Sequence, residues 1–145
     1  MKNLLFIPFL FMCSMVIGQT IATKIIGKTI KIGKLEVAQF DFNRSKDAKS
    51  EYYVDDYLLN WNEAKKACAD LGSGWRLPTK SELNLLYKNW DCTKTGKICG
   101  FSYAIYWSSS NYNTYDAWAQ GFYTGEQALG EKTTSYRVRA VRSIN

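Results

Sequence analysis

The segment Gly74-Trp75-Arg76-Leu77-Pro78-Thr79 most constrains this chain, because it separates two stretches of helical spacing that each carry their own start signal. Asn60 can cap the first stretch, and Glu63 three residues later completes a capping-box pattern. Trp61, Ala64, Cys68 and Leu71 then fall on one helical face, and Gly72 supplies the stop. The second stretch opens with Thr79 as cap and Glu82 at the box position. Leu83, Leu86 and Trp90 form its buried stripe, with Leu85 beside it. Pro78 preorganises the backbone just before the second cap.

The flanking sequence predicts strands. Lys34 to Phe42 reads as extended, with Leu35, Val37 and Phe40 inward, and the polar run Asn43 to Ser50 reads as a loop. After Gly100 helical spacing gives way to aromatic, Ser, Asn and Gly residues, and strands are expected at Tyr106 to Ser108, Trp118 to Tyr123 and Tyr136 to Val141. The order strand, helix, helix, then several strands implies an α+β fold, with two helices flanking a small, mostly antiparallel sheet.

A length of 145 residues fits one domain. Residues 1–18 read as a signal peptide: Lys2 gives the positive start, Leu4 to Ile17 the apolar run, and cleavage is expected before Gln19. The run is shorter than the roughly 18 to 20 residues that span a bilayer. An uncleaved anchor is the competing reading. A lipoprotein anchored at Cys13 is disfavoured because Met12 stands where a small residue is wanted. Residues 19–31 form a lysine-rich leader, and residues 32–145 form the domain. The expected location is periplasmic or extracellular, with membrane contact only through the signal peptide before cleavage. With export, the net charge of +6 points to anionic surface polymer rather than nucleic acid, against the plainer account of an ordinary basic surface. Export also permits disulfides. Cys92 and Cys99 flank the turn-like Thr93 to Ile98 and are the candidate pair, while Cys68 on its apolar face is expected to be a buried free thiol.

Taken together, Trp61-Asn62-Glu63-Ala64, Gly74 to Thr79, Glu82-Leu83, Tyr106-Trp107-Ser108-Ser109 and Arg137-Val138-Arg139-Ala140-Val141-Arg142 make the chain similar to the Lcl C-terminal domain family. That family occurs in exported bacterial proteins, its fold resembles the C-type lectin, and formylglycine-generating enzymes are more distant relatives. The similarity runs from about Ile32 to Asn145. It implies a scaffold role for Trp61, Trp75, Arg76, Leu77, Pro78, Trp107, Arg137 and Arg139, with Trp75 and Trp107 closing the core and the forked donors of Arg76 satisfying loop carbonyls. Many members carry a cysteine where Ala140 stands, so its absence here agrees with an unpaired Cys68. Some have Gly where Cys99 stands, which makes the Cys92 and Cys99 pair a local addition.

Several chemistries are excluded by residue type. The chain has no histidine, which removes Ser-His-Asp and Cys-His nucleophilic systems and the common zinc-ligand sets. Formylglycine-type oxidation calls for cysteines in later loops, yet none follows Cys99. The calcium-dependent sugar loop of lectins needs a proline, but Pro8 and Pro78 both lie elsewhere. Asp55-Asp56 and Asp116 are too few to supply the six to eight oxygens of a calcium site. No enzyme activity, cofactor or metal is therefore expected.

What remains is the tract Ser109 to Gln127. Asn111, Tyr112, Asn113, Tyr115, Asp116, Trp118, Tyr123 and Gln127 combine rigid aromatic area with amide hydrogen bonding, the mix that binding surfaces use. It suits the apolar faces and hydroxyls of a sugar. The plainer account puts Trp118 and one or two tyrosines in the core and treats the rest as turn chemistry. Three functions follow: an exported, calcium-independent binding module for surface glycan or protein; a structural component of the envelope docking through its leader; and a thiol-dependent oxidase relative.

Overall fold

The computed structural model describes residues 27–39, 41–42, 58–90 and 100–144. The expected signal peptide, most of the leader, Phe40, the loop Asn43 to Ser50, Asp55-Asp56 and the Cys92 and Cys99 pair lie outside the described residues.

The elements run β1 (Ile30–Ile32), β2 (Leu35–Val37), α1 (Trp61–Asp70), α2 (Lys80–Lys88), β3 (Ile105–Asn111), β4 (Asp116–Gly121), β5 (Gln127–Glu131) and β6 (Val141–Ser143). The fold is α+β, with two antiparallel three-stranded sheets, ordered β1-β2-β6 and β3-β4-β5. β1 straddles the expected end of the leader, so Ile30 and Lys31 already belong to a sheet.

Both helices start where their side chains satisfy the orphan amides. Asn60 Oδ1 accepts from the N–H groups of Asn62 and Glu63 at 3.1 and 3.0 Å, and Glu63 accepts in return from Asn60 N–H at 3.1 Å. Thr79 Oγ1 accepts from Glu82 N–H at 3.2 Å, and Glu82 Oε2 accepts from Thr79 N–H at 2.8 Å. α1 stops before Gly72, whose φ of 68° is open to glycine at little cost.

The core lies on both faces of β3-β4-β5 because successive strand residues point to opposite sides. Trp107, Ala117 and Ala119 pack with Trp61, Ala64 and Cys68 of α1. Tyr106 packs the other way, with Leu83 and Leu86 of α2, Phe122, and Leu35, Val37 and Val141 of the small sheet. The motif between the helices straps the layers together. Arg76 and Val141 exchange two backbone bonds of 2.9 Å, and Ser109 N–H donates to Pro78 O at 2.7 Å. Trp75 and Leu77 are buried alongside.

Five expectations change. β3 extends to Asn111, past Ser108, and is irregular between Trp107 and Asn111. β5 was not expected, since Gln-Ala-Leu-Gly-Glu lacks a β-branched or aromatic residue. The segment from Tyr136 to Val141 is not one strand. Tyr136, Arg137 and Val141 bridge singly to Leu59, Tyr106 and Arg76, three separate partners that make no continuous ladder, and only Val141 begins β6. Trp90 is half-buried at the rim of the α2 cluster rather than inside its stripe, and the sheet residues divide into two sheets rather than one.

Two acid-sensitive ion pairs brace these elements, one between the inter-helix motif and α2 and one across strands β2 and β6. Arg76 forks onto Glu82 with contacts of 2.7 and 2.9 Å, and Arg142 Nε donates to Glu36 at 2.6 Å. The Arg142 hydrogen bond holds Glu36 below its ordinary value of 4.5, and the Arg76 bond does the same for Glu82. A depressed folded-state value means that the unfolded chain takes up protons first as pH falls. The stabilisation is therefore complete above about pH 4.5 and is lost as pH falls through the folded values. Urea midpoints should decline below that point in the parent, and the decline should flatten in Glu36→Gln/Glu82→Gln. An equal acid slope in both proteins would show that these links do not govern it.

Candidate functional site

The tract Ser109 to Gln127 divides between the two ends of the central sheet. Asn111, Tyr112, Asn113, Tyr115 and Asp116 form the β3–β4 hairpin, whereas Tyr123 sits in the β4–β5 turn at the far end of β4. Six residues of strand separate those ends by about 17–20 Å, so Tyr123 does not join the hairpin cluster.

Asn113 and Asp116 build the hairpin itself. Asn113 Oδ1 accepts from the N–H groups of Tyr115 and Asp116 at 2.7 and 2.6 Å, and its amide donates to Asp116 at 2.8 Å. This is side-chain mimicry of a backbone turn. Lys132 Nζ closes the loop from one side on the carbonyls of Asn113 and Thr114, at 2.5 and 3.1 Å. The loop therefore holds its aromatics outward: Tyr112 and Tyr115 are 58% and 77% exposed.

Trp118 lies between the two accounts weighed for it. It is half-buried on the α2 face of β4, outside both core clusters. Lys80 Nζ sits 2.9 Å from its ring centroid, and Tyr112 meets it edge-on at 6.0 Å. Lys80 was not singled out from sequence. Its place follows from the capping box, which seats it as the first residue of α2, with its N–H donating to Ser110 Oγ at 2.9 Å. Gln127 is structural: its amide donates to Lys80 O at 2.8 Å and to Gln120 Oε1 at 3.3 Å. Asn111 ends β3 and is exposed. Tyr112, Trp118 and Lys80 thus form one contiguous surface, with Tyr115 on the same loop.

Arg76 reaches one loop carbonyl, Leu77 O at 3.2 Å, and gives its other bonds to the Glu82 carboxylate and to Ser143 Oγ. The residue that satisfies several loop carbonyls is Arg139. Fully buried, it donates to Asp41 Oδ1 at 2.7 Å, to Ala38 O at 2.9 Å, to Gln39 O at 2.6 Å, and to Gly100 O. Phe101 stacks on the guanidinium at 4.0 Å. Asp41 also accepts from the Tyr106 hydroxyl at 2.6 Å and faces Arg137 at 3.6 Å. The signal for Asp41 in the sequence was the arginine pair itself, since two inward arginines two residues apart require a carboxylate. Burial and this carboxylate raise the Tyr106 hydroxyl well above its ordinary range.

Cys68 is free and buried, and burial pushes its thiol up to about 12. At neutral pH it is a small apolar filler rather than a nucleophile. Among the described residues no cluster of acidic or sulfur ligands could hold a metal ion, and no helix is long and apolar enough to cross a membrane.

Fold and site define an α+β domain whose two helices cover opposite faces of a sheet, locked by a buried arginine and bearing an aromatic hairpin at its surface. The chain belongs to the Lcl C-terminal domain family, whose model matches residues 39–142. No curated protein matches it at a significant level.

Proposed function

We propose that this is an exported, non-enzymatic binding module with a C-type-lectin-like scaffold, recognising anionic cell-surface glycan without calcium. The observation that carries the reading is the surface formed by Lys80, Trp118 and Tyr112, with Tyr115 beside it. Aromatic rings offer flat area to the apolar face of a sugar, and the ammonium group offers charge to a sulfate or carboxylate. The family, found in exported proteins, and the basic composition point the same way. The inert thiol and the absence of histidine support a role that is not catalytic.

The test is an array of sulfated, carboxylated and neutral polymers, run with EDTA and again at high salt. Binding should survive EDTA and fall with salt as the charges are screened. Lys80→Ala and Tyr112→Ala should each weaken it on the order of tenfold, the scale of one charge-assisted contact, with thermal unfolding little changed. Binding that ignores both substitutions would remove the site, and silence on every polymer would remove the glycan reading.

A further inference from the structure

We propose that β5 is a self-association edge, pairing antiparallel with β5 of a second copy of this chain. β5 is the outer strand of β3-β4-β5. Its register against β4 fixes which groups face outward. Gly121 N–H donates to Glu126 O at 2.9 Å, Lys132 N–H donates to Tyr115 O at 2.8 Å, and Ala128 and Gly130 lie between at the same period opposite Ala119 and Ala117. Bonded pairs alternate along an antiparallel ladder, so the backbone groups of Gln127, Leu129 and Glu131 point away from β4. Among the described residues, none of their N–H groups has a partner. Leu129 is 42% exposed, and Ala128 is exposed beside it. An open edge of this kind is a template for another strand, and proteins ordinarily blunt it with lysine, proline or a bulge. β5 carries none of these.

The sequence of β5 selects a second copy as the occupant, because it is complementary to its own reverse. Centred on Leu129, the two copies bring leucine against leucine. Gln127 faces the partner's Glu131, Ala128 faces the partner's Gly130, and just beyond the strand Glu126 faces the partner's Lys132. Every step is apolar on apolar, small on small, amide on acid, or acid on base, and like charges never oppose each other, as favourable cross-strand pairing requires. The same centring places the outward groups of all three residues in bonded positions, giving about four new main-chain bonds to groups without other partners and two more to the Glu131 carbonyls, each of which already accepts from Thr134 N–H at 2.8 Å. It yields an unbroken sheet ordered β3-β4-β5-β5-β4-β3. The two-fold axis stands perpendicular to that sheet, so both copies present Trp118 and Lys80 on the same side.

Cross-linking tests the register. At the two-fold, position 129 meets its own copy as a bonded pair with Cα atoms about 5.5 Å apart, inside the disulfide range. Leu129→Cys should therefore give a covalent dimer under mild oxidation, with the bridge mapped by peptide mass to position 129 of both copies. Glu131→Cys should give none, because the same register holds its two copies about 13 Å apart. In sedimentation of the otherwise unaltered chain, Leu129→Lys should weaken association at least tenfold by setting two ammonium groups face to face. A chain monomeric at high micromolar concentration, a dimer indifferent to Leu129→Lys, or equal bridging by both cysteine variants would overturn the proposal.

Discussion

Replacing Arg139 by methionine is expected to cost about 3–5 kcal/mol of folding stability, the range for removing one partner of a buried ion pair. The side chain is fully buried and serves four oxygens at once: the Asp41 carboxylate and the carbonyls of Ala38, Gln39 and Gly100. Methionine fills much of the volume but donates nothing. The three carbonyls would lose the donors seen here, and Asp41 would keep only the Tyr106 hydroxyl and the longer contact to Arg137. Arg139→Lys should recover only part of the loss, since one ammonium cannot cover the arc that a planar fork spans. Denaturant midpoints at constant m-value measure both variants. A loss below about 1 kcal/mol in Arg139→Met would show that the cluster merely breaks even against an apolar core, as some buried pairs do.

Trp107→Ala should be of similar size, about 3–5 kcal/mol, for a different reason. The indole is fully buried between α1 and the central sheet. Its Nε1–H donates to Leu59 O at 2.8 Å, and its ring lies 4.4 Å from that of Tyr136. Gly130 makes the space for these rings: a Cβ there would lie 2.6 Å from Tyr136 and 3.0 Å from Trp107. Truncation opens a cavity that the rigid strands around it cannot close, and it leaves the Leu59 carbonyl with only the Tyr136 N–H at 3.1 Å. Trp107→Phe separates the two terms. It retains most of the apolar contact and should cost about 1–3 kcal/mol, mainly the one lost hydrogen bond and the residual void. If phenylalanine were as damaging as alanine, the hydrogen bond rather than the packing would be holding the site.

How far the sequence could be read depended on how local the physics was. Asn60 with Glu63 and Thr79 with Glu82 settle within one turn of chain, and both boxes form where their spacing put them. The buried stripes Trp61, Ala64, Cys68 and Leu83, Leu86 follow from helical period alone, as does the buried thiol. The spacing shows Glu82 as a capping residue but not as the partner of Arg76, although one carboxylate serves both. Arg139 was recognised as scaffold, but its carboxylate stands 98 residues away, a pairing that no local pattern reports. Among the site residues, Tyr112 and Tyr115 are exposed as a binding surface requires, whereas Asn113, Asp116 and Gln127 turned to holding the loop and strand. Their amides and carboxylate read the same from sequence because turn-making and ligand-binding use identical donors and acceptors.

The sequence by itself determined the helices, their starts, the apolar faces and the family, since these rest on contacts three or four residues apart and on ordered motifs. Only the tertiary structure decided that the strands divide into two sheets, that Lys80 caps the Trp118 ring, and that β5 presents an open edge. Each of these depends on which distant segment arrives beside a residue, and that is set by packing the whole chain into one core rather than by the residue's neighbours.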